Sequence, residues 1–231
     1  MLTYIDDRTG ERVDLSAPEL GAWSARTAGL LREGCGLRPG SRVAVLLPPH
    51  WQTAAVLLGA WSAGLTVSVR LAATAGLTPL EPALPLDASF VAGSRIGSWI
   101  EDIPDARHKY VLGLGPRAVA LDDVPPGYLD YISEISLYAE SPPPFGDVRP
   151  TDPATADGTT YGEWAATARA LAERLGIGPG DRVLVDAGEH EHPVTWLLAP
   201  LVAGASVVLC AHLDRAGLDA RVAREGVTKI L

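Results

Sequence analysis

The chain carries one pattern of residues twice, at a fixed spacing. Residues between positions 31 and 67 recur 140 positions further along, in a register that has no gap. Such a register indicates one supersecondary unit used twice, so the fold must contain two related halves. The matched pairs include Leu31 and Leu171, Gly36 and Gly176, Pro39 and Pro179, Gly40 and Gly180, Arg42 and Arg182, Gly64 and Gly204, and Val67 and Val207.

The repeated stretches predict the same secondary structure in both halves. GLRPGSRVAVLL (36–47) and GIGPGDRVLVDA (176–187) each predict a helix end with its glycine, a Pro-Gly turn and a strand. Strands that alternate with helices at this spacing favour a mostly parallel sheet with right-handed crossovers. We therefore predict an α/β fold of two pseudo-symmetric, doubly wound lobes, 1–140 and 155–231, with a proline-rich connector at 141–154.

Four further segments carry weaker predictions. DASFVAG (87–93) and KYVLGLG (109–115) predict strands, and GYLDYISEISLYAES (127–141) predicts a helix. LDARVAREGVTKIL (218–231) predicts a helix followed by a strand. Because a complete fold seldom ends on such a strand, we expect that more chain usually follows it.

Two uncharged runs approach the length of a membrane span. They cover Thr53 to Val69 and Pro193 to Ala211. Gly64 or Gly204 divides each run, and β-branched residues follow the glycine. We therefore predict a helix, a tight turn and a buried strand in each run, and no membrane span.

Charge and cysteine content restrict the function classes. Lys and Arg total 19 against 28 Asp and Glu, and a net charge of -9 disfavours nucleic acid and anionic lipid as partners. The two cysteines are too few for a disulfide framework, and the start MLTYIDDRTG has no apolar leader. We expect a cytoplasmic protein.

Four stretches together resemble a known enzyme superfamily. Residues 19–67 resemble the opening subdomain of the adenylate-forming enzymes, a superfamily that includes acyl-CoA synthetases. VRPTDPAT (148–155), LGIGPGDRVLV (175–185) and LLAPLVAGASVVLC (197–210) resemble the segments that follow in that superfamily. The resemblance implies the fold of the N-terminal subdomains and about the first half of a typical member. More narrowly, the chain resembles a group of short, truncated synthetase-like proteins from actinobacteria.

This resemblance implies a degenerate phosphate loop at Asp157, Gly158, Thr159 and Thr160. The loop of the superfamily reads Thr-Ser-Gly-Thr-Thr-Gly-x-Pro-Lys-Gly, in which backbone N–H groups and a lysine hold the nucleotide phosphates. Only residues 158–160 match it here. Tyr161 replaces a glycine, residues 163 and 164 replace the proline and the lysine, and Asp157 adds a negative charge.

The same residues also fit a helix start. Thr160 followed three positions later by Glu163 predicts a capping box, as Ser16 and Glu19 do before the first helix. Asp157 and Gly158 then form an ordinary turn. Both interpretations stay open, and we favour the cap because the loop lacks its cation.

The motif GEHEHP contains a second candidate site. His190 and His192 flank Glu191, and they fit a polar loop, a remnant of the ligand pocket that the resemblance implies, or two imidazole ligands of a metal. His50 occupies the equivalent loop of the first half. We favour the polar loop and predict no metal site, because no third ligand is adjacent.

The sequence favours a non-catalytic or degenerate ligase-like protein that binds a small ligand or acts as an interaction or regulatory scaffold. The resemblance implies adenine-binding, ribose-binding and C-terminal lysine segments that these residues do not contain, so we assign no catalytic residue and expect no cofactor. The alternative is an acyl-activating ligase remnant that binds ATP with magnesium or an acyl substrate. Surface that a full-length member would bury predicts a homo-oligomer or an obligate protein partner.

Overall fold

The computed structural model describes residues 1–75, 85–98, 103–115, 118–140 and 148–231. Within these ranges, the strands are β1 (Leu2–Asp6), β2 (Glu11–Leu15), β3 (Arg42–Leu46), β4 (Thr66–Val69), β5 (Leu86–Ala92), β6 (Ala106–Leu112), β7 (Leu129–Asp130), β8 (Arg182–Asp186), β9 (Ser206–Ala211) and β10 (Lys229–Ile230). The α-helices are α1 (Ala17–Gly29), α2 (Trp51–Ser62), α3 (Tyr131–Ile135), α4 (Tyr161–Leu175), α5 (Ala199–Val202) and α6 (Leu218–Glu225).

The strands form two five-stranded sheets. Sheet A has the order β10-β8-β9-β1-β2, and only its β1–β2 pair is antiparallel among the pairs described. Sheet B has the order β4-β3-β5-β6-β7, and its described pairs are all parallel. The predicted α/β class with two mostly parallel sheets is confirmed.

The two compact units of the chain do not follow the predicted ranges 1–140 and 155–231. The first unit consists of Met1–Leu20, Pro49–Ala54 and Gly162–Leu231, and it contains sheet A. The second consists of Gly21–Pro48 and Ala55–Tyr161, and it contains sheet B. The division differs because β1 pairs in parallel with β9, which places the N-terminal hairpin in the sheet of the C-terminal strands. Residues 141–147 of the predicted connector lie outside the described residues.

The start of α1 shows how local sequence fixes a helix. Ser16 Oγ accepts a hydrogen bond from the Glu19 N–H at 3.3 Å, and the Ser16 N–H donates to Glu19 Oε2 at 2.8 Å. Each side chain therefore satisfies a backbone N–H that the helix itself leaves without a partner. The capping box predicted at Ser16 and Glu19 is confirmed.

Both uncharged runs fold as predicted. The first forms α2 and then β4, and the second forms a π-helical turn at Val194–Leu198, α5 and then β9. Gly64 and Gly204 lie between helix and strand with φ values of +80° and +74°, a region that favours glycine. None of the helices in the described ranges has the length and apolarity that crossing a bilayer requires.

Each sheet has its own apolar core. Burial of these side chains is the main force that holds each unit together. In sheet A, the buried Ile5, Leu184, Val208 and Cys210 pack against Leu213, Leu218 and Val227, at and around α6. In sheet B, the buried Ala44, Leu46 and Val91 pack against Leu86, Ile96, Ile103 and Tyr128.

The weaker predictions have mixed outcomes. β5, β6, α6 and β10 confirm the segments predicted at 87–93, 109–115 and 218–231. The helix predicted over 127–141 is wrong in extent, since within its described part, 127–140, only Tyr131–Ile135 is α-helical and Leu129–Asp130 is a strand. Asp130 fixes this boundary, because its carboxylate accepts from the N–H groups of Ser133 at 2.7 Å and Leu121 at 3.1 Å.

Candidate functional site

Residues 155–159, where the resemblance implies a phosphate loop, form a closed turn. The Gly158 N–H donates to the Thr155 carbonyl at 3.1 Å, and the Ala154 N–H donates to the Thr159 carbonyl at 2.8 Å. Gly158 has a φ of +89°, a backbone conformation that residues with a side chain rarely adopt. Asp157 and Gly158 therefore form the turn that the sequence predicts, in the stretch just before α4.

The turn already contains an anion of its own. Asp157 Oδ1 accepts hydrogen bonds from the Thr159 N–H at 3.0 Å and from the Thr155 hydroxyl. These hydrogen bonds, with that of Thr155 foremost, lower the pKa of Asp157 and keep it charged at neutral pH. A nucleotide phosphate at this turn would have to displace the Asp157 carboxylate from the Thr159 N–H.

Tyr161 has a structural role that the sequence does not indicate. It stands where the superfamily has a loop glycine, and its hydroxyl lies 2.9 Å from the Leu65 carbonyl oxygen and 3.1 Å from that of Trp61. Burial, followed by the charge of Asp152, raises the pKa of this phenol. The side chain therefore fixes the first residue of α4 to the turn between α2 and β4.

We expect Tyr161→Phe to lower the free energy of unfolding by about 1 kcal/mol, because it removes the one phenolic O–H that lies within hydrogen-bond distance of both carbonyl oxygens. Urea denaturation measures this change. Tyr128→Phe is the matched control, since no hydrogen bond of the Tyr128 hydroxyl is described, and it should remain within about 0.5 kcal/mol of the native protein. Equal losses in the two variants would contradict the anchoring role of Tyr161.

Thr160 lies at the position that precedes α4. The helix begins at Tyr161, and Thr160 forms an antiparallel bridge with Pro153. This placement suits the predicted cap, which remains a prediction. We expect Thr160→Ala to cost about 1 kcal/mol of stability without any ligand, and Thr160→Ser to stay near neutral. Denaturation of both variants, with Ser16→Ala as the reference for a described capping box, measures the effect, and an unchanged alanine variant would contradict the cap.

The two histidines of GEHEHP lie in the loop between β8 and the π-helical turn. The His190 N–H donates to the Asp186 carbonyl at 3.1 Å. The His192 ring meets Trp164 edge-on, with ring centroids 5.6 Å apart, and desolvation lowers the pKa of His192. Among the described residues, no group of three or more His, Cys, Asp or Glu could hold a metal ion.

Sequence reasoning missed the polar side chains at the carboxyl edge of sheet A. Asp6 ends β1, and its Oδ1 lies 2.8 Å from Nδ1 of His212, for which the sequence suggests no partner. Burial opposes the ionisation of Asp6, but the hydrogen bonds from His212 and the Arg8 N–H lower its pKa. Asp186 ends β8 and pairs with Arg215 at 2.9 Å. The position of both acids at strand ends is a signal that sequence alone contains.

A cleft of about 550 Å³ lies between the β1–β2 hairpin and α6. Its charged side chains are largely paired with one another, since Arg12 Nη1 lies 2.6 Å from Glu225 Oε1 and Arg221 pairs with Asp7. Such pairing stabilises the contact between the hairpin and α6. The cleft is lined by Ile5, Asp6, Asp7, Gly10, Glu11, Arg12, Arg221, Arg224 and Glu225.

Sequence comparisons match the chain to a family model and to a relative. The family model described as "AMP-binding enzyme" matches residues 2–77. A protein of Mycobacterium tuberculosis (strain ATCC 25618 / H37Rv) described as "TIGR03089 family protein" is 36% identical over 235 residues. That alignment covers 100% of this chain and 90% of the relative.

Solved structures of acyl-CoA ligases share the fold. The anthranilate CoA ligase AuaEII in complex with anthranoyl-AMP has a TM-score of 0.67 at 15% identity, over 98% of this chain and 44% of that one. The Brucella canis acyl-CoA synthetase has a TM-score of 0.70 at 18% identity, over 99% of this chain and 43% of that one. The N-terminal domain of FACL13 from Mycobacterium tuberculosis has a TM-score of 0.64 at 14% identity, over 97% and 56%. The chain thus spans less than half the length of the first two enzymes.

Proposed function

We propose, for a chain that belongs to the TIGR03089 family and has an adenylate-forming-ligase-like fold, a non-catalytic role as a scaffold that binds a small ligand or a partner protein. The observation that carries this proposal is the hydrogen bonding of Asp157. Its carboxylate accepts hydrogen bonds from the Thr159 N–H and the Thr155 hydroxyl. These two donors therefore have an anionic partner within the turn itself. A shared fold does not bring a shared reaction when the site residues differ.

The missing cation supports the same proposal. By the resemblance, the phosphate loop supplies a lysine where this chain has Trp164, and it has no acid where this chain has Asp157. Both differences make the charge of this site less favourable for a polyanion. Each change weakens phosphate binding, because charged hydrogen bonds contribute most of the affinity at such sites.

A second candidate function rests on the residues that do match. Gly158, Thr159 and Thr160 are identical to the corresponding loop residues, and the ligase-like fold covers nearly the whole chain. Under this alternative, the protein binds ATP with magnesium or an acyl substrate, and a partner chain supplies further site residues. His190 and His192 would then line the acyl pocket.

A pyrophosphate-exchange assay distinguishes the two functions. The purified chain is incubated with ATP, magnesium and a panel of carboxylic acids, and an acyl-CoA synthetase serves as the positive control. We expect no exchange above the background without acid. Acid-dependent exchange that disappears in Thr160→Ala would contradict the non-catalytic proposal and support the ligase remnant.

We also propose that the protein associates with itself or with a partner chain. The apolar side chains of Leu137 (75% exposed), Val119 (67%) and Ile230 (53%) support this proposal, because exposed apolar area favours association. Light scattering over a concentration series tests it. We expect a mass above that of one chain or a co-purifying partner, and a strict monomer without a partner would contradict the proposal.

A further inference from the structure

Sheet B contains a reversal of strand order at β3. The chain passes from β3 to β4 on one side and then crosses to β5 on the other, and the described neighbours of β3 are both parallel to it. In open parallel sheets, ligands bind outside the carboxyl ends of the strands at such a reversal. The reversal lies between β3 and β5, so a ligand site is expected outside the carboxyl ends of these two strands, and the residues that follow β4 adjoin it from the other side of β3.

Two arginines lie at this carboxyl edge of sheet B, one on each side of β3. Arg70 directly follows β4, and its N–H donates to the Val45 carbonyl of β3 at 2.9 Å. Arg95 lies three residues after β5 and is only 8% exposed. Arg95 Nη1 donates to the Arg70 carbonyl at 2.8 Å, so its guanidinium reaches from the β5 side to the β4 side, across the end of β3.

The guanidinium of Arg70 lacks a counter-ion in the described part of the chain. No described carboxylate pairs with it, and its Nε is buried without a hydrogen-bond partner. Partial burial of an unpaired charge is unfavourable, and a ligand with a negative charge would remove that cost at Arg70. The chain as a whole has a net charge of -9, so an arginine without a carboxylate partner stands against the overall balance.

We propose that Arg70, with Arg95 beside it, binds an oxyanion: the carboxylate or phosphate group of a small ligand at the carboxyl edge of sheet B. The planar fork of a guanidinium matches both groups and binds either of them with two hydrogen bonds. The inference rests on the proposed function, because it gives a ligand class to a protein that binds rather than reacts. Pyrophosphate exchange tests that function separately, so the two proposals can fail independently.

Calorimetric titration of the full chain with sodium phosphate and, separately, sodium benzoate tests the inference, with sodium chloride at matched ionic strength as the reference. We expect saturable binding of at least one of the two probes, and the probe that binds distinguishes a phosphate ligand from a carboxylate ligand. Arg70→Gln should weaken that binding about tenfold or more. Arg107→Gln is the matched control, because it removes the same charge at the amino end of β6 in the same sheet, and it should bind like the native protein.

Three results would overturn the inference. They are the absence of saturable binding of both probes, native affinity in Arg70→Gln, and an equal loss in Arg107→Gln, which would mean that net charge alone matters. If Arg70→Gln does not fold, Arg70→Lys decides the question. It retains the charge without the fork, so it should weaken binding about threefold or more, and native affinity in that variant would overturn the inference.

Discussion

Glu225→Gln is expected to lower the free energy of unfolding by about 3 kcal/mol, because it removes one partner of a buried ionic network. The side chain of Glu225 is 3% exposed, and its two oxygens lie 2.6 Å from Arg12 Nη1 and 3.4 Å from Arg182 Nη2. Arg182 Nε also donates to the Glu225 carbonyl at 2.6 Å. Glutamine leaves the charge of Arg182 buried without its carboxylate. Urea denaturation at pH 7 measures the difference.

The pH dependence of this loss provides a second test. The hydrogen bond from Arg12 is the largest of the effects that lower the pKa of Glu225 below its ordinary value of 4.5. The ionised carboxylate therefore stabilises the fold above pH 4.5, and this stabilisation disappears as the pH falls through the lower folded-state pKa. The difference between native protein and Glu225→Gln should shrink in that acid range. Glu173→Gln, an exposed control on α4, should change stability by less than about 0.5 kcal/mol at any of these pH values.

His50 is expected to make the protein sensitive to acid. The residue is 2% exposed, its Nδ1 accepts from the Gln52 N–H at 3.1 Å at the start of α2, and its ring meets Tyr4 edge-on with centroids 4.3 Å apart. Desolvation lowers the pKa of His50 to about 3, and the charge of Asp6 opposes this shift weakly. As the pH falls below 6.5, His50 therefore becomes protonated in the unfolded chain, whereas in the folded chain it stays neutral until the pH approaches 3.

The sign and size of the effect follow from the two pKa values of His50. Stability should fall as the pH decreases from 6.5 towards 3, and His50 alone accounts for about 2.6 kcal/mol between pH 7.5 and pH 4.5. His50→Ser retains an acceptor at the helix start and does not titrate. Its own loss of stability over that pH range should be smaller than the native loss by this amount. Carboxylates contribute equally to both proteins, so equal losses would contradict the buried, neutral imidazole.

The sequence predicts those structural features that depend on residues close together in the chain. The capping box at Ser16 and Glu19 forms because both partners lie within one helical turn, and the glycine between helix and strand at Gly64 follows from its preference for positive φ. The parallel pairing of β1 with β9 joins residues about 200 positions apart, and no local pattern specifies that partner. Sequence reasoning therefore could not place the N-terminal hairpin in the sheet of the C-terminal strands.

In the candidate site, too, features formed by adjacent residues could be predicted and contacts between distant residues could not. The residues of the turn at 155–159 are adjacent in sequence, so its glycine and the unfavourable charge of Asp157 could be recognised directly. The contacts of Tyr161 with Leu65, of His212 with Asp6, and of Arg95 with Arg70 depend on which strands are neighbours. Strand order is set by packing over the whole chain, so sequence reasoning could not bring these residues together.

Titration calorimetry with ATP and magnesium most directly tests the central claim, which is that the turn at 155–159 does not bind a nucleotide. The Arg70→Gln chain is used, so that the proposed oxyanion site does not contribute heat. We expect no saturable binding up to about 1 mM ATP, which limits any binding free energy to about 4 kcal/mol. Micromolar binding in that chain, abolished by adding Thr160→Ala, would contradict it and would restore the turn to the phosphate-binding role that its sequence resembles.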